Sequence, residues 1–454
     1  MPDNLINHAL IVSGIRRCGK STLLQQMILK HHESAFYLNF DIPKLYNFEI
    51  EDFELLDLII NQMDKKLLFF DEIQVVSGWE LYIRQKLDEG YRVVVTGSNA
   101  SLLSKELGTK LTGRHVTKEL FPFSFREFCA FKKAEHNETS FFQYMQTGGF
   151  PEYIKTQDQD ILTALLDDIL YRDIAVRHNI RDVKSLKRLL IYLASNVSNL
   201  VSATKLTQSI GIKSTATILD YFSFFEQSYL IQFIPKFSYS YKVQLVNPRK
   251  IYFIDTGLLG AVSASFNKDL GRKLENIVFW ELRRQQKEIY YYNEKGQECD
   301  FVVCKNKIPE QLIQVCYDLN KENEIREQEV LFEAMEFFKM DKGIIITFNQ
   351  QDVILRQGKR IDIIPFYLFE RKEEIVISDH FDKIKKYFFL LFCQSATCLL
   401  PKPEYGCFGK IIDIFDVPVT AGEGQSLCIK IKFKYDKTKT YRGITRSNRR
   451  ITGR

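Results

Sequence analysis

The stretch Ala9-Leu10-Ile11-Val12-Ser13-Gly14-Ile15-Arg16-Arg17-Cys18-Gly19-Lys20-Ser21-Thr22 decides the fold. Ala9 to Val12 is an apolar run that reads as a strand. Thr22-Leu23-Leu24-Gln25-Gln26-Met27 reads as a helix. Between them, Gly14 to Ser21 fits the phosphate-binding pattern G-x4-G-K-[ST], which belongs between a strand and a helix. Glycines let backbone N–H groups approach phosphate closely. A helix N-terminus adds unpaired donors and a favourable dipole. Such a loop places Gly14, Arg17, Cys18, Gly19 and Thr22 around the phosphates. Lys20 would reach the β- and γ-phosphates and Ser21 would hold Mg²⁺. The pattern therefore implies ATP and Mg²⁺ as ligands.

A second motif lies about 50 residues downstream. Lys65-Lys66-Leu67-Leu68-Phe69-Phe70-Asp71-Glu72 is a short apolar run ending in two carboxylates. An apolar run of this length reads as a buried parallel strand. Asp71 at its carboxyl end would share the Mg²⁺ with Ser21, and Glu72 would polarise the attacking water. A third run, Tyr91-Arg92-Val93-Val94-Val95-Thr96-Gly97-Ser98-Asn99, ends in small polar residues. Leu111-Thr112-Gly113-Arg114 then offers an arginine that would stabilise a γ-phosphate in cis or from a neighbouring subunit. A homo-oligomer is therefore left open.

The chain has 454 residues, enough for two to four domains. The first residues lack a basic region and a long apolar core, and no run of 18 apolar residues appears. The nine cysteines form no C-x2-C pair, which argues against a zinc site or a disulfide framework and for a reducing cytoplasm. The net charge of +6 is local. Residues 430 to 454 carry ten Lys or Arg and one Asp, leaving 53 basic against 56 acidic residues elsewhere. Such an end can touch nucleic acid or membrane phosphates, but more often it is a solvated, disordered end.

Residues 1–130 alternate strand-like and helical runs, which implies a parallel sheet covered by helices. Residues 131–245 read as a helical lid and winged-helix-like region. Within it, Ser202 caps one helix that ends near Gly211, and a second helix starts near Ser214, a helix-turn-helix arrangement. Few Arg or Lys besides Lys213 fall on exposed positions of that second helix, so DNA and protein partners both remain open. Residues 246–368 read as a third, α/β domain with strands at 288–292, 300–303, 311–317 and 343–347. Residues 369–454 form an atypical tail, basic at its end, that does not declare whether it folds on its own.

Together these motifs resemble the prokaryotic ATPases that pair an AAA-type P-loop domain with a C-terminal domain catalogued as of unknown function, DUF4143. The resemblance rests on Gly14 to Ser21, Asp71-Glu72-Ile73-Gln74, Gly78-Trp79-Glu80, Thr96 to Asn99 and Leu111 to Arg114. It continues through Leu120 to Phe128, Gly148-Gly149-Phe150-Pro151-Glu152-Tyr153 and Leu170-Tyr171-Arg172-Asp173. Ile251 to Leu258 and Gly271 to Asn276 complete it, so it covers roughly residues 8 to 367. It implies that Ser98 or Asn99 senses the γ-phosphate.

The same resemblance implies a restriction-endonuclease-like fold at the C-terminus, whose hydrolytic members use E…D…(E/Q)-x-K. Glu275 would be the helix acid, Asp300 the central acid and Gln314 the third position. Cys316 stands where the lysine belongs and supplies no fixed positive charge, so the site reads as degraded. Lys305 is the candidate substitute from a neighbouring strand. The leading expectation is a Mg²⁺-dependent ATPase acting as a nucleotide-controlled switch coupled to DNA or a protein partner. The alternatives are an ATP-regulated nuclease and a non-hydrolysing DNA- or partner-binding regulator.

Overall fold

The computed structural model describes residues 7–372 apart from 32–33, 104, 213, 264–268, 286–287 and 295. These residues fall in one compact unit, Met1–Leu391. The remaining unit, 392–454, lies outside the described residues, and so do the basic stretch 430–454 and Lys213.

Residues 9 to 119 build a five-stranded parallel sheet from β1 (Ala9–Ser13), β2 (Ala35–Asn39), β3 (Leu67–Asp71), β4 (Arg92–Gly97) and β5 (His115–Glu119). Their order is β2-β3-β4-β1-β5. Leu67 to Asp71 are all buried, and Val93 to Gly97 are as well. A strand with neighbours on both sides and helices on both faces needs such a continuous apolar run. Burying each of Phe69 and Phe70 contributes roughly 1.5–3 kcal/mol. The edge strand β5 is only half-buried along its length and carries Lys118 and Glu119. Crossovers use the helices Lys20–Lys30, Phe53–Gln62 and Trp79–Asp88. This is the P-loop NTPase fold.

A helical region follows. It includes Phe125–Lys132, Glu138–Thr147, Gln159–Asp167 and a nine-residue π-helix, Asp168–Val176. π-helical segments are rare and cluster at functional sites. The helices Ala203–Ile210 and Thr215–Gln227 occupy the expected helix-turn-helix stretch. Gly211 ends the first in the left-handed region, and the Ser214 hydroxyl accepts the Thr217 N–H at the start of the second. Strands β6 (Leu200–Val201), β7 (Ile231–Ile234) and β8 (Arg249–Phe253) form a small antiparallel sheet ordered β6-β8-β7. β8 therefore pairs with the helical region rather than opening the third segment, as a boundary at 246 would require.

The last described module is a six-stranded mixed sheet. It contains β9 (Glu288–Glu294), β10 (Gln297–Lys305), β11 (Ile308–Val315), β12 (Lys342–Thr347), β13 (Asp352–Arg356) and β14 (Lys359–Pro365), ordered β13-β14-β12-β11-β10-β9. Helices Leu270–Gln285 and Glu324–Phe338 pack on it. One apolar core runs through the helical region and one face of this sheet, from Ile15 in the phosphate loop to Phe369. Arg283 ties the modules further through a double hydrogen bond to Glu119 on β5, at 2.9 and 3.1 Å.

Two motifs of the sequence meet in this core. Asp255 caps the helix Thr256–Val262 by accepting the Leu258 N–H at 2.9 Å, and it accepts the Gly149 N–H at 2.5 Å. A Cβ on Gly149 would lie 2.2 Å from the Phe123 carbonyl oxygen. Gly149→Ala is therefore expected to cost about 1–3 kcal/mol through overpacking. The check is the urea midpoint of unfolding, which should fall at unchanged slope; an unchanged midpoint would contradict the close approach.

Candidate nucleotide site

The phosphate loop leaves the carboxyl end of β1, where ligands bind in open parallel sheets. Gly14 sits against the chain leaving β5, and a Cβ there would lie 2.0 Å from the Leu120 carbonyl oxygen. The Cys18 thiol donates to that same carbonyl at 3.4 Å, and burial pushes its pKa up, so it is a neutral wall of the loop. Gly19, at φ +107°, starts the helix Lys20–Lys30. Ser21 is half-buried and Thr22 exposed on its first turn.

Lys20 is buried. Its Nζ donates to the carbonyls of Gly14 at 3.0 Å and Ile15 at 3.1 Å, and lies 3.5 Å from Glu72 Oε1. Asp71 ends β3 fully buried, with one carboxylate oxygen accepting the Thr96 hydroxyl and the other accepting the Tyr37 hydroxyl at 2.9 Å. Glu72 follows in the left-handed region at φ +53° and donates its N–H to Thr96 Oγ1 at 3.1 Å. Its other carboxylate oxygen accepts the Gln74 amide at 2.6 Å. Burial pushes the Glu72 carboxyl up, but Lys20, Gln74, Arg16 and Ser98 outweigh burial and hold it below the usual carboxylate range. Glu72 is thus an ionised carboxylate at neutral pH. Asn99 is buried at the exit of β4, where its carbonyl accepts the Ser13 hydroxyl at 2.8 Å. Lys20, Asp71, Glu72 and Asn99 thus all lie at the carboxyl ends of β1, β3 and β4.

Arg114 does not join them. Its carbonyl accepts the Ala9 N–H, so it stands at the amino ends of β1 and β5. Its guanidinium binds Asp88 at 2.7 Å. Five residues of strand separate it from the loop, ~16 Å at the usual rise.

Other arginines surround the loop and the π-helix. Arg16 makes a double hydrogen bond to Asp173, at 3.0 and 2.9 Å, and lies 3.8 Å from Asp41. Arg172 also binds Asp41, and Arg17 reaches Glu152 at 3.3 Å and Asp168 at 3.7 Å. Arg177 directly follows this helix and is half-buried. Burial pulls its pKa down; Asp173 and Glu72 oppose that, and Arg16 adds repulsion. No hydrogen bond or ion pair joins Arg177 to another described side chain. A half-buried cation with no side-chain partner among the described residues suits an incoming anion. Sequence reasoning missed it because Asp173 and Arg16 are 157 residues apart and no local pattern links them.

The third predicted cluster is also assembled. Glu275 lies on the helix Leu270–Gln285, Asp300 on β10 and Gln314 on β11. The Gln314 carbonyl oxygen accepts the Asp300 N–H at 3.1 Å. Cys316 is buried and its thiol is pushed up to about 11, chiefly by burial. Lys305 is exposed at the far end of β10, five residues from Asp300, and is not the substitute lysine.

Among the described residues, no helix is long and apolar enough to cross a membrane, and no group of three or more His, Cys, Asp or Glu residues is arranged to hold a metal ion. The exposed residues of the helix Thr215–Gln227 are Ala216, Leu219, Asp220 and Ser223, none of them a cation.

Comparison with known proteins agrees with the fold. The family model described as "AAA domain" matches residues 6–129. A domain of unknown function, DUF8612, matches residues 138–269, within the helical region and the start of the next segment. An uncharacterized protein of Haemophilus influenzae is 31% identical over 331 residues, covering 66% of this chain and 83% of its own. Among solved structures, "Structure of Drosophila ORC bound to AT-rich DNA and Cdc6" aligns at 11% identity over 56% of this chain and 85% of that one. Its TM-score of 0.18 carries no argument. The uncharacterized protein MJ1544 of Methanocaldococcus jannaschii is 36% identical over 393 residues, covering 80% of this chain and 88% of its own. The chain belongs to the same protein family as MJ1544, and its residues 6–129 match the AAA domain.

Proposed function

We propose that the protein binds MgATP at the loop Gly14–Ser21, hydrolyses it slowly, and acts as a nucleotide-controlled switch on a protein partner. The observation that carries this reading is the position of Lys20, held between the Gly14 and Ile15 carbonyls and the Glu72 carboxylate. An anion at the loop competes for that ammonium, so occupancy frees Glu72 to orient and deprotonate water. Arg16, Arg17, Lys20 and Arg177 around one loop suit a polyanion. The oxygen donors of Ser21 and Asp71 suit Mg²⁺, which supplies charge stabilisation to the phosphates when bound. Arg16 and Arg17 hold the loop to Asp173, Asp168 and Glu152, so a change at the loop is felt by the helical region.

A protein partner is favoured over DNA because the second helix of the helix-turn-helix offers no exposed cation for phosphates. The order helix, β9, β10, β11, helix, β12 supports a restriction-endonuclease-like core in the last module, used as a scaffold. The test is equilibrium binding of a fluorescent ATP analogue with Mg²⁺. Lys20→Ala is expected to weaken it roughly 100-fold. Unchanged affinity in that variant would sink the assignment.

A further inference from the structure

In the mixed-sheet module, the acids that a metal-dependent nuclease would use face a cation already built into the chain. Lys250 comes from β8, outside the six-stranded sheet, and is 1% exposed. Its Nζ lies 2.6 Å from Asp300 Oδ1, 2.9 Å from Glu275 Oε1 and 2.8 Å from Glu298 Oε1. An ammonium has three N–H donors, and each has one carboxylate.

The remaining oxygens are largely spoken for. Asp300 Oδ2 accepts the Val315 N–H at 2.8 Å, and the Gln314 carbonyl oxygen accepts the Asp300 N–H. The Gln314 amide donates to Glu327 at 2.8 Å, and Asn293 donates to Glu298 Oε2 at 3.2 Å. The Tyr252 hydroxyl donates to Glu275 Oε1 at 2.7 Å, with its ring stacked on Phe279. The donor set therefore does not fit a divalent cation, because most of the carboxylate oxygens already accept from the ammonium, a main-chain N–H or the Asn293 and Tyr252 side chains. Burial works against a charged Lys250, yet Asp300 and Glu275 hold its pKa well above the ordinary value, so the cation is permanent.

We propose that the ammonium of Lys250 takes the place of the divalent cation in this carboxylate pocket. The mixed-sheet module is then clamped to β8 by an internal cation and does not hydrolyse phosphodiesters. A charge in a pocket of acids is costly to remove alone, because the acids are left uncompensated. A divalent ion offered to the vacated pocket should replace it.

The experiment uses the full chain without nucleotide and Mn²⁺ as the probe. Lys250→Ser is expected to lower the unfolding midpoint by roughly 10 °C. Millimolar Mn²⁺ should recover at least half of that loss, and should not do so in Lys250→Ser/Asp300→Asn. Loss without recovery by Mn²⁺ would overturn the proposal. Should Lys250→Ser fail to fold, Mn²⁺ electron paramagnetic resonance of the wild type decides. No bound ion that Asp300→Asn removes is the expected result. An ion that depends on Asp300, or plasmid cleavage that depends on it, would make Lys250 a partner of a working metal site and overturn the proposal.

Discussion

Glu72→Gln is expected to slow phosphate release about 10³-fold, within the range for losing a general base, while MgATP affinity changes less than about threefold. Glutamine keeps the shape and the hydrogen bond to the Gln74 side chain but neither carries charge nor takes a proton. The native carboxylate is held ionised mainly by Lys20, against burial, so wild-type activity should be flat from pH 6 to 8 as far as this group is concerned. The sign follows from its lowered pKa: protonation, and with it loss of activity, begins only as pH falls below the ordinary carboxylate value. Losing the Lys20–Glu72 contact also leaves the ammonium with the Gly14 and Ile15 carbonyls alone. The variant should therefore bind ATP no more weakly than the wild type. Single-turnover phosphate release together with analogue binding checks both halves. A variant that hydrolyses at the wild-type rate would remove Glu72 from the chemistry.

The second large effect falls on Arg177. Arg177→Ala is expected to lower the hydrolysis rate about 10²–10³-fold, as does loss of one preorganised charge donor. Its half-buried guanidinium pairs with no described side chain; burial and repulsion from Arg16 work against its charge, while Asp173 and Glu72 favour it. A cation in that state costs stability, and a γ-phosphate relieves the cost. The variant should accordingly be no less stable than the wild type in the absence of nucleotide. Arg177→Lys should recover only part of the rate, since a point charge lacks the guanidinium fork. Arg114→Ala is the contrasting variant, because that residue is held to Asp88 at the other end of the sheet. Equal losses in Arg177→Ala and Arg114→Ala, measured as phosphate release by monomeric protein, would contradict the assignment.

What was legible in the sequence was local. The phosphate loop, the buried run ending at Asp71 and the helix turn at Gly211 are each set by fewer than about ten neighbouring residues, and strand, loop and helix signals agree there. The parts that were not legible depend on distant contacts. Asp173 finds Arg16, and Lys250 finds Asp300, only once the fold brings them together. Cys316 made the third cluster look degraded because its lysine was sought two residues after Gln314, whereas the cation arrives from β8. Arg114 was placed at the γ-phosphate because it follows the sensor strand in sequence, yet the chain returns to the amino end of the sheet before β5 begins. The hairpin of β13 and β14 left little trace, since β13 is exposed along most of its length and shows no apolar alternation.

The coupling of the nucleotide loop to the helical region is the centre of this account, and hydrogen exchange tests it most directly. The protein is Glu72→Gln, held in its ATP-bound state by saturating MgATP. Exchange is compared across residues 168–177 with and without nucleotide. The account predicts that MgATP changes protection there by at least about tenfold, because Arg16 and Arg177 are drawn to the phosphates and the Asp173 anchor is loosened. Unchanged exchange over 168–177, with nucleotide bound and the loop itself protected, would contradict it.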